Sequence, residues 1–244
     1  MSHEFADHYE LELDQTPEQV WDAIATGPGL SSWFMGAAEV DPDAGAVEIR
    51  MGAFAMRSPI VAYEPGVHFA FRGTPSPDGR FFGMEFLLEA REGGTTVLRI
   101  VSSGFLPADD WEDEYEAMRS GGRTYRDTLV EYLRHFAGRP GVALVAWAPP
   151  GDLDRHWAAL TADLGITAGT AVGDAVVLHP TGLPPIDGVV DHLTPEVVGV
   201  RGAEALYRFF RGFQATGVGH HDFSGADAEA STAAWQSWLD AVAR

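Results

Sequence analysis

The chain has 244 residues, no cysteine and a formal net charge of −20. Absence of cysteine excludes a disulfide framework, thiol catalysis and cysteine-ligated zinc. The negative charge repels phosphate backbones, so nucleic acid is not an expected partner. With 45% hydrophobic and 21% charged residues, the chain holds enough apolar material for one large domain or two small ones. No apolar run is long enough to cross a bilayer, and "MSHEFADHYELEL" lacks the basic start and apolar core of a signal peptide. The expectation is a cytoplasmic protein without membrane association.

In chain order, "HYELELDQTPEQVWDAIATGPG" predicts a strand and then a helix. Tyr9, Leu11 and Leu13 alternate with polar residues, as a half-buried strand requires. Thr16 is a good N-cap, Pro17 suits the first helical position, and Gln19 completes a capping box. Val20, Trp21 and Ile24 form an apolar stripe, and Gly27 with Pro28 is expected to end the helix. "LSSWFM" predicts a short helical turn carrying Trp33 and Phe34.

From about Ala37 to Phe105 the period changes to two. "AVEIRM", "RSPIVAYE", "VHFAFRG", "FFGMEFLLEA" and "TTVLRIVSSGF" read as successive strands, separated by the turn-like "DPDAG", "EPG", "TPSPDG" and "REGG". Connections this short imply antiparallel neighbours. A long helix follows, with Asp109 as its expected N-cap and Glu112 at the capping-box position. The acidic run "DDWEDEYE" suits the positive end of the helix dipole. One face carries Trp111, Tyr115, Met118, Tyr125, Leu129, Tyr132 and Phe136 at helical spacing. Steps of three and four place residue 122 on that face, where Gly121 and Gly122 stand side by side. Each glycine costs a helix interior about 1 kcal/mol against alanine. The missing side chains either bring the helix close to the sheet or leave room beneath it, and close packing is the first expectation.

At Pro140 the pattern restarts. "GVALVAWAPPGDLDRHWAAL" repeats the order of strand, cap and helix, with Asp152 as cap and Trp157 and Leu160 matching Trp21 and Ile24. "GVVDHLTPEVVGVRG" echoes "PIVAYEPGVHFAFRG", and His192 is expected to be the counterpart of His68. "EALYRFFRGF" and "TGVGHHDF" predict strands, and the last helix turns Trp235, Trp238, Leu239 and Val242 inward. This is the pattern of an internal repeat that has lost strands.

One helix, several antiparallel strands and a long final helix describe an α+β helix-grip fold. "TPEQVWDAIATGPGLSSWF" resembles the opening of the SRPBCC (START/Bet v 1-like) superfamily, most closely the bacterial branch related to the activator of Hsp90 ATPase. That branch has a P-x-x-V-W-x-A-(I/L) helix before a W-F pair. Gly121, Gly122 and Tyr125 loosely resemble its Gly-Gly-aromatic motif, with Arg123 where an aromatic residue is common. The resemblance implies residues 1–138 as a helix-grip domain and 140–244 as a smaller, degenerate copy. It further implies a curved sheet gripping the long helix, with an apolar cavity between them that holds a small hydrophobic molecule. Some members of the superfamily cyclise or dehydrate the bound molecule, and others act through protein contacts. A polyketide cyclase or dehydratase and a co-chaperone-like interaction module are therefore the alternatives.

The expected lining comes from the helix residues Trp111, Tyr115, Met118, Gly122 and Tyr125. The strands would add Phe69, Phe71, Phe82, Met84, Phe86 and Phe105, with one alternating set of these facing inward. Trp33, with Phe34, would form a rim. Methionine and aromatic side chains give the adaptable contact area an apolar ligand needs, and ordinary core is the competing reading for each. For chemistry the candidates are Glu85, Arg72, Tyr125 and His68, although alternation with Met84 and Phe86 turns Glu85 outward. His220, His221 and Asp222 form the sole metal-like cluster, but adjacent strand residues face opposite ways. No catalytic residue, metal or cofactor is assigned. The expected partner is a small apolar ligand, and homodimerisation stays open.

Overall fold

The computed structural model describes residues 3–52, 54–91, 93–106, 111–212 and 214–244. The chain divides into two compact units, Met1–Pro140 and Gly141–Arg244. The first contains β1 (His3–Leu13), α1 (Pro17–Ala25), α2 (Gly27–Ser31), β2 (Ala37–Asp41), β3 (Ala46–Met51), β4 (Phe54–Glu64), β5 (His68–Arg72), β6 (Phe81–Ala90), β7 (Thr96–Leu106) and α3 (Trp111–His135). Its seven strands run in the order β1-β7-β6-β5-β4-β3-β2, every neighbouring pair antiparallel. The first strand thus closes against the last, and the rest form a meander.

The start of α1 follows its sequence closely. Thr16 accepts from the Gln19 amide, and the Gln19 side chain accepts from the Thr16 amide at 3.0 Å. Gly27 and Pro28 do not form a loop after α1. Thr26 ends α1 in extended backbone and at once caps α2, accepting from the Gly29 amide at 3.0 Å. Pro28 then occupies the first turn of α2, where its missing N–H costs nothing. Along α3 burial is uneven. Leu129, Tyr132 and Leu133, with Phe136 just beyond the helix, are fully buried, each contributing on the order of 1.5–3 kcal/mol. Met118, Gly121, Gly122 and Tyr125 in the preceding turns are half-buried. The expected N-cap, Asp109, lies outside the described residues.

The second unit contains β8 (Val142–Trp147), α4 (Leu153–Asp163), β9 (Ala175–Leu178), β10 (Ile186–Leu193), β11 (Val197–Arg201), β12 (Ala205–Arg211), β13 (Thr216–Asp222) and α5 (Ala228–Val242). Its order, β8-β13-β12-β11-β10-β9, repeats that of the first unit with one strand fewer. Asp152 caps α4 as its spacing predicts, accepting from the Arg155 amide at 3.0 Å. α5 seats Trp235, Trp238 and Leu239 in the core, with both indoles against Phe209 at 5.8 and 5.9 Å.

The two units share a bulge. The pairing of β4 with β5 slips between Ile60 and Ala62, and that of β10 with β11 slips between Val190 and His192. The extra residue is the exposed Val61 in the first unit and Asp191 in the second. Asp191 meets Arg208 of β12 in a two-pronged ion pair at 3.0 and 2.9 Å, with both side chains at most 4% exposed. This register corrects the expected match of His68 with His192. His68 lies in β5 and His192 in β10, strands that are not counterparts.

His220 and His221 are both buried. His220 Nδ1 accepts from the Arg208 amide at 3.0 Å, so the ring is fixed as an acceptor rather than presented as a ligand. Tyr207, Phe209 and Trp235 surround it, with centroids at 5.2, 4.9 and 4.4 Å. Desolvation holds its pKa well below the ordinary 6.5, and neighbouring His221 and Arg208 add to the shift. The unfolded chain therefore takes up this proton first as pH falls. Stability is complete above about 6.5 and declines below it by up to about 1.4 kcal/mol per pH unit from this group. His220→Asn keeps an acceptor without the titration. Its melting temperature is expected to be lower than the parent's at pH 7.5 and to fall less between pH 7.5 and 5. An equal fall in both proteins, followed by circular dichroism, would remove His220 from the acid limb.

Candidate functional site: a cavity beneath the glycine pair

A cavity of about 300 Å³ lies between the middle turns of α3 and the sheet of the first unit. Antiparallel register builds its floor in rows across β1, β7 and β6. Phe5 pairs with Gly104 and Gly104 with Phe82, Asp7 with Ser102 and Ser102 with Met84, and Tyr9 with Ile100 and Ile100 with Phe86. All of these line the cavity except Gly104 and Phe86. Gly104 serves the row differently. A Cβ there would stand 2.6 Å from the Phe5 ring, so glycine is what lets Phe5 lie across it.

The roof is Met118, Arg119, Gly121, Gly122, Tyr125 and Arg126 of α3. A Cβ built on either glycine meets nothing within 4 Å. Close helix–sheet packing, the first expectation for the pair, is therefore replaced by open space. The end wall is Trp33, Phe34 and Met35 after α2, with Met56 of β4. Trp33 is held in place by its Nε1–H donating to the Ala23 carbonyl at 2.9 Å, and Phe34 lies 5.4 Å from the Tyr125 ring.

Of the expected lining and rim, Trp33, Phe34, Phe82, Met84, Met118, Gly122 and Tyr125 stand on the wall. Phe69, Phe71 and Phe86 share the inward face but do not reach it. They are sealed in the core, where Phe69 stacks on Phe86 at 6.2 Å and meets Trp21 of α1 at 6.4 Å. α1 thus covers the part of the sheet that α3 leaves. Phe105 belongs to the opposite face, because Gly104 and Ser102 fix the inward parity of β7. It pairs with Phe81. Tyr115 ties the helix to the strand instead of lining the space, its hydroxyl donating to Asp7 Oδ1 at 2.9 Å and its ring 5.2 Å from Phe5. The Trp111 side chain lies outside what the structure describes.

Sequence reading missed Phe5, Asp7, Tyr9, Met35, Met56, Ile100, Ser102, Arg119 and Arg126. For Phe5 and Asp7 the signal existed, since Phe5, Asp7, Tyr9, Leu11 and Leu13 continue one alternation back towards the N-terminus.

The polar candidates from the strands lie elsewhere. Glu85 pairs with His68 Nε2 at 2.8 Å. The Arg72 guanidinium covers the Phe81 ring at 3.9 Å. Arg50 and Arg99 pair with Glu48 and Glu10 on exposed surface at 2.7 and 2.8 Å. Polar groups on the cavity wall are Asp7, Tyr9, Ser102, Arg119, Tyr125 and Arg126. Desolvation pushes the Tyr125 phenol up to about 12, so it keeps its proton near neutrality and acts as a donor, not a base. Among the described residues no group of three or more His, Asp or Glu side chains could hold a metal ion. No described helix is long and apolar enough to cross a membrane.

Residues 14–134 match the model of a family described as activator of Hsp90 ATPase homolog 1-like protein. The first unit belongs to this family. Among solved structures, a Mesorhizobium loti protein is 21% identical over 54% of this chain and 98% of its own, with a TM-score of 0.46. The Aha1 dimer from Colwellia psychrerythraea is 17% identical over 53% of this chain and 96% of its own, with a TM-score of 0.42. The di-domain ARO/CYC BexL from the BE-7585A biosynthetic pathway is 11% identical over 98% of this chain and 99% of its own, with a TM-score of 0.45. No curated protein matches the chain.

Proposed function

We propose that the first unit binds a small, mostly apolar molecule in the cavity beneath α3. The observation that carries this reading is the open space at Gly121 and Gly122, over a floor of Phe5, Phe82, Met84 and Ile100. A volume of about 300 Å³ lies at the small end of ordinary ligand pockets. A cyclase or dehydratase needs an acid–base group within reach of its substrate. Glu85, Arg72 and His68 are off the wall, and Tyr125 alone of that set reaches it, as a protonated phenol. Asp7 is the carboxylate on the wall, and it is engaged by the Tyr115 hydroxyl at 2.9 Å, so binding is the better supported role.

Nile red added to the purified protein is expected to gain fluorescence with a saturable, one-site curve. Native mass spectrometry of protein taken from its own host is expected to show added mass on the chain. A fully dry response in both experiments, with no dye uptake and no added mass, would overturn the reading.

A further inference from the structure

Arg126 is an anomaly on a mostly apolar wall. Its Nη1 is buried without a hydrogen-bond partner, and no ion pair or hydrogen bond engages the side chain among the described residues. Its guanidinium instead lies over the Tyr9 ring at 3.8 Å. Arg72 also covers a ring, that of Phe81, but is exposed to water, and five other arginines of the unit have carboxylate partners. Arg50, Arg80, Arg91, Arg99 and Arg119 each pair with a carboxylate on exposed surface. A guanidinium donor taken from water and left unmatched is costly, and stacking on Tyr9 recovers only part of that cost. An acceptor oxygen brought into the cavity would recover the rest.

The charge on the wall agrees. Arg119 is answered by Glu116 at 3.2 Å, which leaves Arg126 as the wall cation with no bonded carboxylate among the described residues. Asp7 already accepts from the Tyr115 hydroxyl. The Tyr125 phenol, protonated and without a hydrogen-bond partner among the described residues, supplies a second donor on the roof one residue away. The planar fork of a guanidinium matches a carboxylate better than it matches a single hydroxyl. Its hold on Tyr9 is a face contact, so a small rotation brings its donors onto an oxygen inside the cavity.

We infer that the ligand is an amphipathic carboxylate, its apolar body in the cavity and its head group on Arg126, with Tyr125 as second donor. This inference rests on the binding role proposed above. The test uses decanoate and decanol, which share an apolar chain and differ in head group. Calorimetric titration of the intact protein is expected to show decanoate binding about ten- to a hundredfold more tightly, the factor for hydrogen bonds to a charged group. Arg126→Gln and Arg126→Met are each expected to erase that preference while decanol affinity stays within about twofold. Melting curves establish that both variants fold. If decanol binds as well as decanoate, or the preference survives both substitutions, the carboxylate inference falls and the cavity reading stands. If neither molecule binds the parent protein, both fall.

Discussion

Gly122→Leu is expected to abolish Nile red uptake while leaving the first unit at least as stable as the parent. The two effects have separate origins. The side chain enters space in which a Cβ meets nothing within 4 Å, so it occupies the cavity without displacing the sheet. Replacing a helical glycine also removes a propensity penalty of about 1 kcal/mol, and burial of new apolar surface adds to this gain. Gly122→Ala separates the two. It is expected to raise the melting temperature by a few degrees and to leave dye binding nearly intact. A leucine variant that melts well below the parent would mean that the space is packed. One that melts higher and still takes up dye at parental affinity would move the binding site elsewhere.

The second large effect belongs to the other unit. Asp191→Asn is expected to cost about 3–5 kcal/mol, because it leaves the Arg208 guanidinium buried opposite a neutral group. That is a large part of the roughly 5–15 kcal/mol that holds a domain together, and the melting temperature should fall by more than about 10 °C. The double replacement Asp191→Leu with Arg208→Met removes both charges from the core and is expected to recover most of the loss. Equal melting of the single variant and the parent would show that solvent reaches the pair. A double variant as unstable as the single one would make the pair a requirement for the bulge, not a local electrostatic contact.

Much of the fold was legible because its signals are local. Period-two alternation marked β3 and β6 to the residue, and caps at Thr16 and Asp152 fixed the starts of α1 and α4. β9 escaped because four residues in a glycine-rich stretch give too short a period. The site was legible only on the helix. Spacing along α3 put Met118, Gly122 and Tyr125 on one face, and they do line the cavity. On the strands, alternation tells which residues share a face but not which part of that face a helix will cover. Phe69, Phe71 and Met84 have the same parity; the first two are sealed in the core, Phe69 against Trp21 of α1, and Met84 faces the cavity. Phe105 fell to the parity of its own strand. Arg126 was hidden for another reason. On a helix an arginine near the polar boundary reads as solvent-exposed, and only its stacking on a strand far away in sequence shows otherwise.

The uneven anchoring of α3 has a dynamic consequence. Its second half is held by Leu129, Tyr132 and Leu133 at full burial, whereas among the described residues its first half rests on two glycines over a void and on Tyr115, tied to Asp7 and Phe5. Local opening draws on the least anchored segment. The turns before Gly122 can therefore unwind and re-form while the remainder of the helix, and the sheet beneath it, stay closed. Fraying of that one helix end would widen the way into the cavity without any movement of the strands.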